Sequence, residues 1–205
     1  MEKFGIGQGV LRQEDPRLLR GRGLYVNDVN LPGQTYAIVL RSPHAHAEIR
    51  SIDVSTAAAA PGVVAVFTGD DVAADKLGVP GMPAKWKRPD DEPMKYRPQP
   101  PLALGRVRYV GDAVALVIAE TLDQARDGAE LIDVDYDPLP SVTDTAETVA
   151  ADAPLVWDDY PDNISGQFQS GDADAVEAAF AGAAHITKRA ITISRVFAQY
   201  MEPRG

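Results

Sequence analysis

A chain of 205 residues, 45% of them apolar, is long enough for one compact core and part of a second. Its 20 basic and 30 acidic side chains leave a formal charge of −10, which argues against nucleic-acid phosphates and anionic membranes as partners. With no cysteine, these residues can supply no disulfide, thiolate metal site, iron–sulfur ligand or cysteine nucleophile, a composition that fits a reducing compartment. The opening MEKFGIGQGVLRQED has no apolar signal region, and the longest nearly uncharged apolar stretch, near 110–119, is too short to span a bilayer. A cytoplasmic protein without membrane insertion is expected.

In chain order, EDPRLLRGRGLYVNDVNLPGQ is rich in turn formers, with Gly21, Gly23 and Pro32-Gly33 predicting an irregular arm with bends. TYAIVLRS (35–42) predicts a strand ended, or placed at a sheet edge, by Pro43. HAEIRSIDVS (46–55) alternates, with Ala47, Ile49 and Ser51 facing one way and His46, Glu48, Arg50 and Ile52 the other. TAAAAPG then predicts a short helix broken at Pro61-Gly62, followed by a buried strand Val63–Phe67 and a turn. Seven prolines crowd 77–101, predicting a long surface loop.

Arg106–Val110 and Ala113–Ala119 look like two strands joined by a tight turn at Gly111-Asp112, the second apolar enough to be central and buried on both faces. Thr121 and Gln124 form a capping-box pattern, and Leu122, Ala125, Ala129 and Ile132 share one helical face. IDVDYDPLP is an alternating strand with Asp133, Asp135 and Asp137 outward. Strand, helix and strand in close succession predict an α/β or α+β core. Residues 141–169 are turn-rich, a connector and not a core. Asp172 or Asp174 can cap a helix through Phe180 with Gly182 as a left-handed stop, and AHITKRAITISRVF is a long strand candidate. A helix and one strand cannot bury their own apolar face, so 170–205 are expected to begin a domain continued elsewhere.

His44 and His46, one residue apart, would share a face on a strand as two ligands of one metal do, but only His185 remains as a third histidine. Structural or interface histidines are the stronger expectation. Asp133, Asp135 and Asp137 could suggest a hard-cation site, yet no glycine-containing calcium loop surrounds them, and a solvated strand face accounts for them equally well. GIGQG and GRG match neither the dinucleotide fingerprint nor a phosphate loop with its lysine, and no nucleophile elbow occurs. No catalytic, cofactor-binding or metal residue is assigned.

Five segments occur together in order: DPRLLRGRGLYVNDVNLPG, RSPHAHAEIRSID, APGVVAVFTGDDV, VGDAVALVIAETLDQARDGAELIDVDYDPLP and MEPRG. This arrangement resembles the start of the large subunit of the xanthine dehydrogenase/aldehyde oxidase family of molybdenum hydroxylases, and most resembles the bacterial carbon monoxide dehydrogenase large chain group. The resemblance implies an α+β fold: an arm (1–14), an α/β-hammerhead domain (15–140), a connector (141–169) and the first helix and strand of a molybdopterin-binding domain (170–205). It also implies that the pterin-contacting loops and the catalytic glutamate have no matching positions here, so Glu202 is not that glutamate. The resemblance places His46 in the hammerhead fold and not in a metal site, and a packing role near the junction with the molybdenum domain is expected for it.

The function so implied is a portion of a molybdenum-dependent hydroxylase or dehydrogenase of carbon monoxide, aldehyde or purine type, non-catalytic by itself, shaping substrate access and subunit contacts. Molybdopterin, in its cytosine dinucleotide form, would belong to the rest of the large subunit, with iron–sulfur clusters on a small subunit and FAD on a medium subunit. The alternative from another class is a stand-alone binding or assembly module of the same fold without a redox role. A hydrolase using surface carboxylates ranks below both, because no acid and base are paired in a defined context.

Overall fold

The computed structural model describes residue 9 and residues 11–77, 86–97 and 99–193. It divides into two compact units, one of residues 1–34 with 185–205, the other of residues 35–184. In the first, a four-residue helix α1 (Asp15–Leu18) has Pro16 in its opening turn, where the ring's fixed φ suits the helix. A 3-10 turn (Val26–Asp28) follows, closed by the Asp28 carboxylate accepting the Tyr25 N–H at 2.9 Å. Gly21 and Gly33 both take positive φ, as the bend signals required. The strand expected at 184–197 is absent from its described part, 184–193, where Ile191 and Ile193 lie almost fully exposed; 194–197 fall outside the described residues. A strand needs a paired neighbour, and apolar alternation alone does not supply one.

The second unit is built on two antiparallel three-stranded sheets. The first has the order β1 (Tyr36–Arg41), β5 (Ala113–Ala119), β3 (Val63–Thr68); the second has β4 (Arg106–Val107), β2 (Ala47–Asp53), β6 (Asp133–Pro138). The short helix α2 (Ser55–Ala58) ends before Pro61 and Gly62, as expected. β5 is central, and four of its seven residues are buried. Ala115 and Val117 form one apolar cluster with Ala57, Ala129 and Ile132. Val114 forms another with Ala47, Ala103 and Val107, and Ile52 and Val134 pack against both clusters. Each fully buried valine contributes roughly 1.5–3 kcal/mol by leaving water.

Helix α4 (Leu122–Glu130) lies over this strand, its first turn capped by the Thr121 hydroxyl, which accepts the Gln124 N–H at 3.2 Å. A Cβ at Gly128 would sit 3.0 Å from Val63 and 3.1 Å from Val117. The helix therefore approaches the sheet along Ala125, Gly128 and Ala129, and Leu122 at its first position stays 36% exposed instead of facing inward.

Several expectations are corrected. The turn at Gly111-Asp112 exists, with Asp112 N–H donating to the Tyr109 carbonyl at 3.1 Å, but the strands around it are not a hairpin. Arg106 and Val107 pair with Glu48 and Ala47 in one sheet while β5 joins the other. The Asp112 carboxylate takes the Arg108 N–H that a hairpin would have given to a cross-strand carbonyl. β3 is an edge strand, not a buried one, and Val64 and Phe67 face outward. After it comes a helix, α3 (Gly69–Ala74), where a turn was expected: Thr68 and Asp71 form a capping box, with Thr68 N–H to the carboxylate at 2.7 Å. In β2 a bulge between Ile49 and Ser51 resets the alternation, so Ile52 packs inward with Ile49 instead of opposite to it.

The described part of the Pro-rich segment and the connector make more contacts than their composition implied. Residues 78–85 and 98 lie outside the described residues, but 86–97 fold against 154–167. Lys87 bridges Pro93 and Gln167; Arg88, only 5% exposed, ion-pairs with Asp162 at 2.6 Å and donates to the Ile164 carbonyl. The Asn163 amide donates to the carbonyls of Thr148 and Pro154 and accepts from Val156 N–H, and Tyr160 is buried. Helix α5 (Ala173–Ala181) starts at Asp172, which accepts the Ala175 N–H at 2.9 Å, but Gly182 keeps a right-handed φ of −90° and is no left-handed stop. Among the described residues no helix is long and apolar enough to cross a membrane.

Candidate functional site

Pro43 stops β1 and the chain bends before β2, so His44 and His46 stand on this bend and not on a strand face. The Ser42 hydroxyl accepts the His44 N–H at 3.0 Å, and the His44 ring leans on Tyr136 with centroids 4.9 Å apart. Burial raises the Tyr136 phenol above its ordinary pKa, partly offset by a hydrogen bond with Ser42. His46 is 8% exposed, and its Nδ1 lies 3.1 Å from the Pro140 carbonyl. A carbonyl only accepts, so Nδ1 carries the hydrogen, and the buried Nε2 has no hydrogen-bond partner among the described residues. With the Leu139 N–H bonded to the His46 carbonyl, this ring ties the exit of β6 to the entrance of β2.

The other residues weighed for metal or cofactor binding are dispersed. Asp137 ion-pairs with Arg50 at 2.7 Å, raising the guanidinium pKa, while Asp133 and Asp135 are exposed. In the first unit His185 Nε2 contacts the Thr187 hydroxyl at 3.2 Å. Glu202 and most of GIGQG fall outside the described residues. Among the described residues no group of three or more histidine, aspartate or glutamate side chains gathers as a metal ion would need.

Glycines are the natural cradle for a cofactor phosphate, because a missing Cβ lets the backbone approach closely. Here the space at the packed glycines is taken by the chain itself: Gln124 over Gly62, the Ala103 carbonyl over Gly69, Val63 and Val117 over Gly128. The positive-φ glycines 21, 33, 105, 111 and 171 have open space around them and serve turns. With no cysteine, these residues hold no thiolate ligand for an iron–sulfur cluster.

A concavity lined by several charged side chains lies elsewhere, in a cleft of about 390 Å³ beside β4. Arg97, Gln99, Arg106, Arg108, Asp112 and Trp157 line it together with Pro100, Ala103 and Leu104. Arg106 spans Glu48 at 2.9 Å and Asp158 at 3.0 Å, hydrogen bonds that raise its pKa, and Arg97 pairs with Asp159. Arg108 stacks 3.6 Å over the Trp157 ring, within cation–π range. Burial lowers its pKa, and the Arg106 charge adds to the effect. A second hollow of about 370 Å³ adjoins it through Arg97, Gln99 and Trp157. Sequence reasoning missed this group because its members are up to sixty positions apart; the only local trace was the RVR alternation, which places Arg106 and Arg108 on one side.

Comparison with known proteins places this geometry. Residues 20–140 match the family described as aldehyde oxidase and xanthine dehydrogenase, a/b hammerhead domain. The nicotine 6-hydroxylase large subunit of Paenarthrobacter nicotinovorans is 39% identical over 98% of this chain and 24% of its own length. The carbon monoxide dehydrogenase large chain of Afipia carboxidovorans is 36% identical over 97% of this chain and 25% of its own. Among solved structures, reconstituted CO dehydrogenase from Oligotropha carboxidovorans superposes with a TM-score of 0.70 at 35% identity, covering 88% of this chain and 23% of that one. Quinoline 2-oxidoreductase from Pseudomonas putida 86 gives 0.59 at 43% identity, covering 74% and 19%. The chain thus spans about a quarter of the length of the curated relatives it matches. It belongs to the aldehyde oxidase and xanthine dehydrogenase family of molybdenum hydroxylases, and its α+β architecture is that family's hammerhead domain.

Proposed function

We propose that this chain is the hammerhead portion of a molybdenum hydroxylase large subunit, of carbon monoxide, aldehyde or purine type, and that it walls the substrate passage and supports subunit contacts without catalysing by itself. The observation that carries the reading is the 39% identity along 98% of the chain to a hydroxylase large subunit, of which it spans 24%. Residues 15–140 form the wall, 141–169 connect, and 170–205 lead into the molybdopterin-binding domain.

Molybdopterin, in its cytosine dinucleotide form, would be held by the remainder of the large subunit and would supply a two-electron acceptor for hydroxylation with oxygen from water. The iron–sulfur clusters and FAD reside on small and medium partner subunits in the cytoplasm. The residues of this chain do mechanical work. The β5-centred core packs the two sheets against each other, and His46 ties down the chain just after β6. Helix α5 presents Val176 and Phe180 to solvent and has no buried residue, which suits a helix that docks on something larger.

Co-expression with a polypeptide matching the remaining length of a relative's large chain tests this. A stable one-to-one complex that contains molybdenum and oxidises an aldehyde, a purine or carbon monoxide is expected. Failure to associate, or full molybdenum uptake and turnover by the remainder without this chain, contradicts the proposal.

A further inference from the structure

Of the three guanidinium groups lining the cleft beside β4, two are already neutralised: Arg97 by Asp159, Arg106 by Glu48 and Asp158. Arg108 forms no salt bridge among the described residues, although the Asp112 and Asp158 charges act on it from a distance. One of its terminal nitrogens reaches the Arg106 carbonyl at 3.3 Å, and its enclosed Nε has no acceptor. The Asp112 carboxylate, also in the lining, is engaged by the Arg108 backbone N–H at 3.1 Å. A half-buried cation short of acceptors is costly unless an anion meets it, and a guanidinium is shaped to meet a carboxylate. Trp157 holds this guanidinium flat, while Leu104 and Pro100 make part of the wall apolar.

We propose that this cleft is a binding site for a small organic carboxylate with a flat apolar body, its anionic end on Arg108 and its body against Trp157 and Leu104. Gln99 offers both a donor and an acceptor beside it, which adds a means of orienting a polar substituent. The site lies wholly within the 35–184 unit and does not depend on the assignment to a large subunit.

Benzoate titrated into the 205-residue chain is a direct probe, followed through the two indole N–H resonances by NMR. The Trp157 signal should move saturably, with a dissociation constant of about 1 mM or tighter, while that of Trp86, which packs against Phe168 away from the cleft lining, stays fixed. Neutral benzamide and inorganic phosphate should each bind at least about tenfold more weakly, since one lacks the charge and the other the apolar body. Arg108→Gln should weaken benzoate about tenfold or more, with Arg108→Lys in between. Absence of saturation in the unaltered chain, equal movement of both indoles, or benzamide or phosphate matching benzoate would each overturn the proposal; these readings need no variant to fold.

Discussion

The strands around Ala115 and Val117 and the layer around Arg88 are held together by opposite means. The first is a dry cluster of small aliphatic side chains on a central strand with neighbours on both sides. The second, residues 86–97 against 154–167, is held by an ion pair to Asp162, hydrogen bonds from Arg88, Lys95 and Asn163 to main-chain carbonyls, and Lys95 over the Tyr160 ring. Apolar burial is cooperative and indifferent to pH; a polar layer depends on charge and opens by smaller steps. The sheets therefore set global stability, whereas the outer layer, which supplies Arg97 and Trp157 to the cleft, can be loosened separately.

The contrast can be broken most severely at its dry end. Val117→Ala leaves a cavity at the centre of β5 and should cost about 2 kcal/mol, lowering the denaturant midpoint of the whole unit in an equilibrium unfolding experiment. Thr121→Ala removes the cap of α4 and should cost about 1 kcal/mol by the same measurement. Arg88→Met should act locally: amide exchange should quicken in 86–97 and 159–167 while β5 keeps its protection, as read by hydrogen-exchange mass spectrometry.

Acid sharpens the same difference. The Ile164 N–H, and then Arg88, hold the Asp162 carboxyl below the usual aspartate range. A carboxyl whose folded pKa is depressed stabilises fully above its unfolded pKa, and that contribution drains away as pH falls through the folded one. The outer layer should therefore loosen below about pH 4, and Arg88→Met should remove part of that dependence, leaving the share due to the Ile164 N–H. The smallest effect belongs to Arg50→Ala: its pair with Asp137 is solvent-exposed, so the melting temperature should stay within experimental error.

How much of this was legible depended on whether a signal was local. β5 could be read as central because seven consecutive apolar residues need cover on both faces, and Thr121 because a cap and its partner lie three positions apart. The two-sheet split was hidden: Gly111-Asp112 is a sound turn signal, and only the long-range pairing of Arg106-Val107 with β2 shows that it joins separate sheets. The bulge before Ser51 was equally invisible, since alternation carries no mark of an extra residue. Arg88 and Asp162 lie in stretches whose proline and turn content suggested loose chain, because composition does not record which distant carboxylate a buried arginine will find. The cleft beside β4 was missed for the same reason.

These residues are proposed to build a wall and not a reaction centre. The most direct test of that role is to purify the 205-residue chain from a host supplied with molybdate and able to make the pterin, then measure bound molybdenum, bound pterin and oxidation of aldehydes, purines and carbon monoxide. Neither cofactor above trace level and no turnover is the predicted result. Stoichiometric molybdopterin on the chain, or turnover of any of these substrates by it alone, would contradict it.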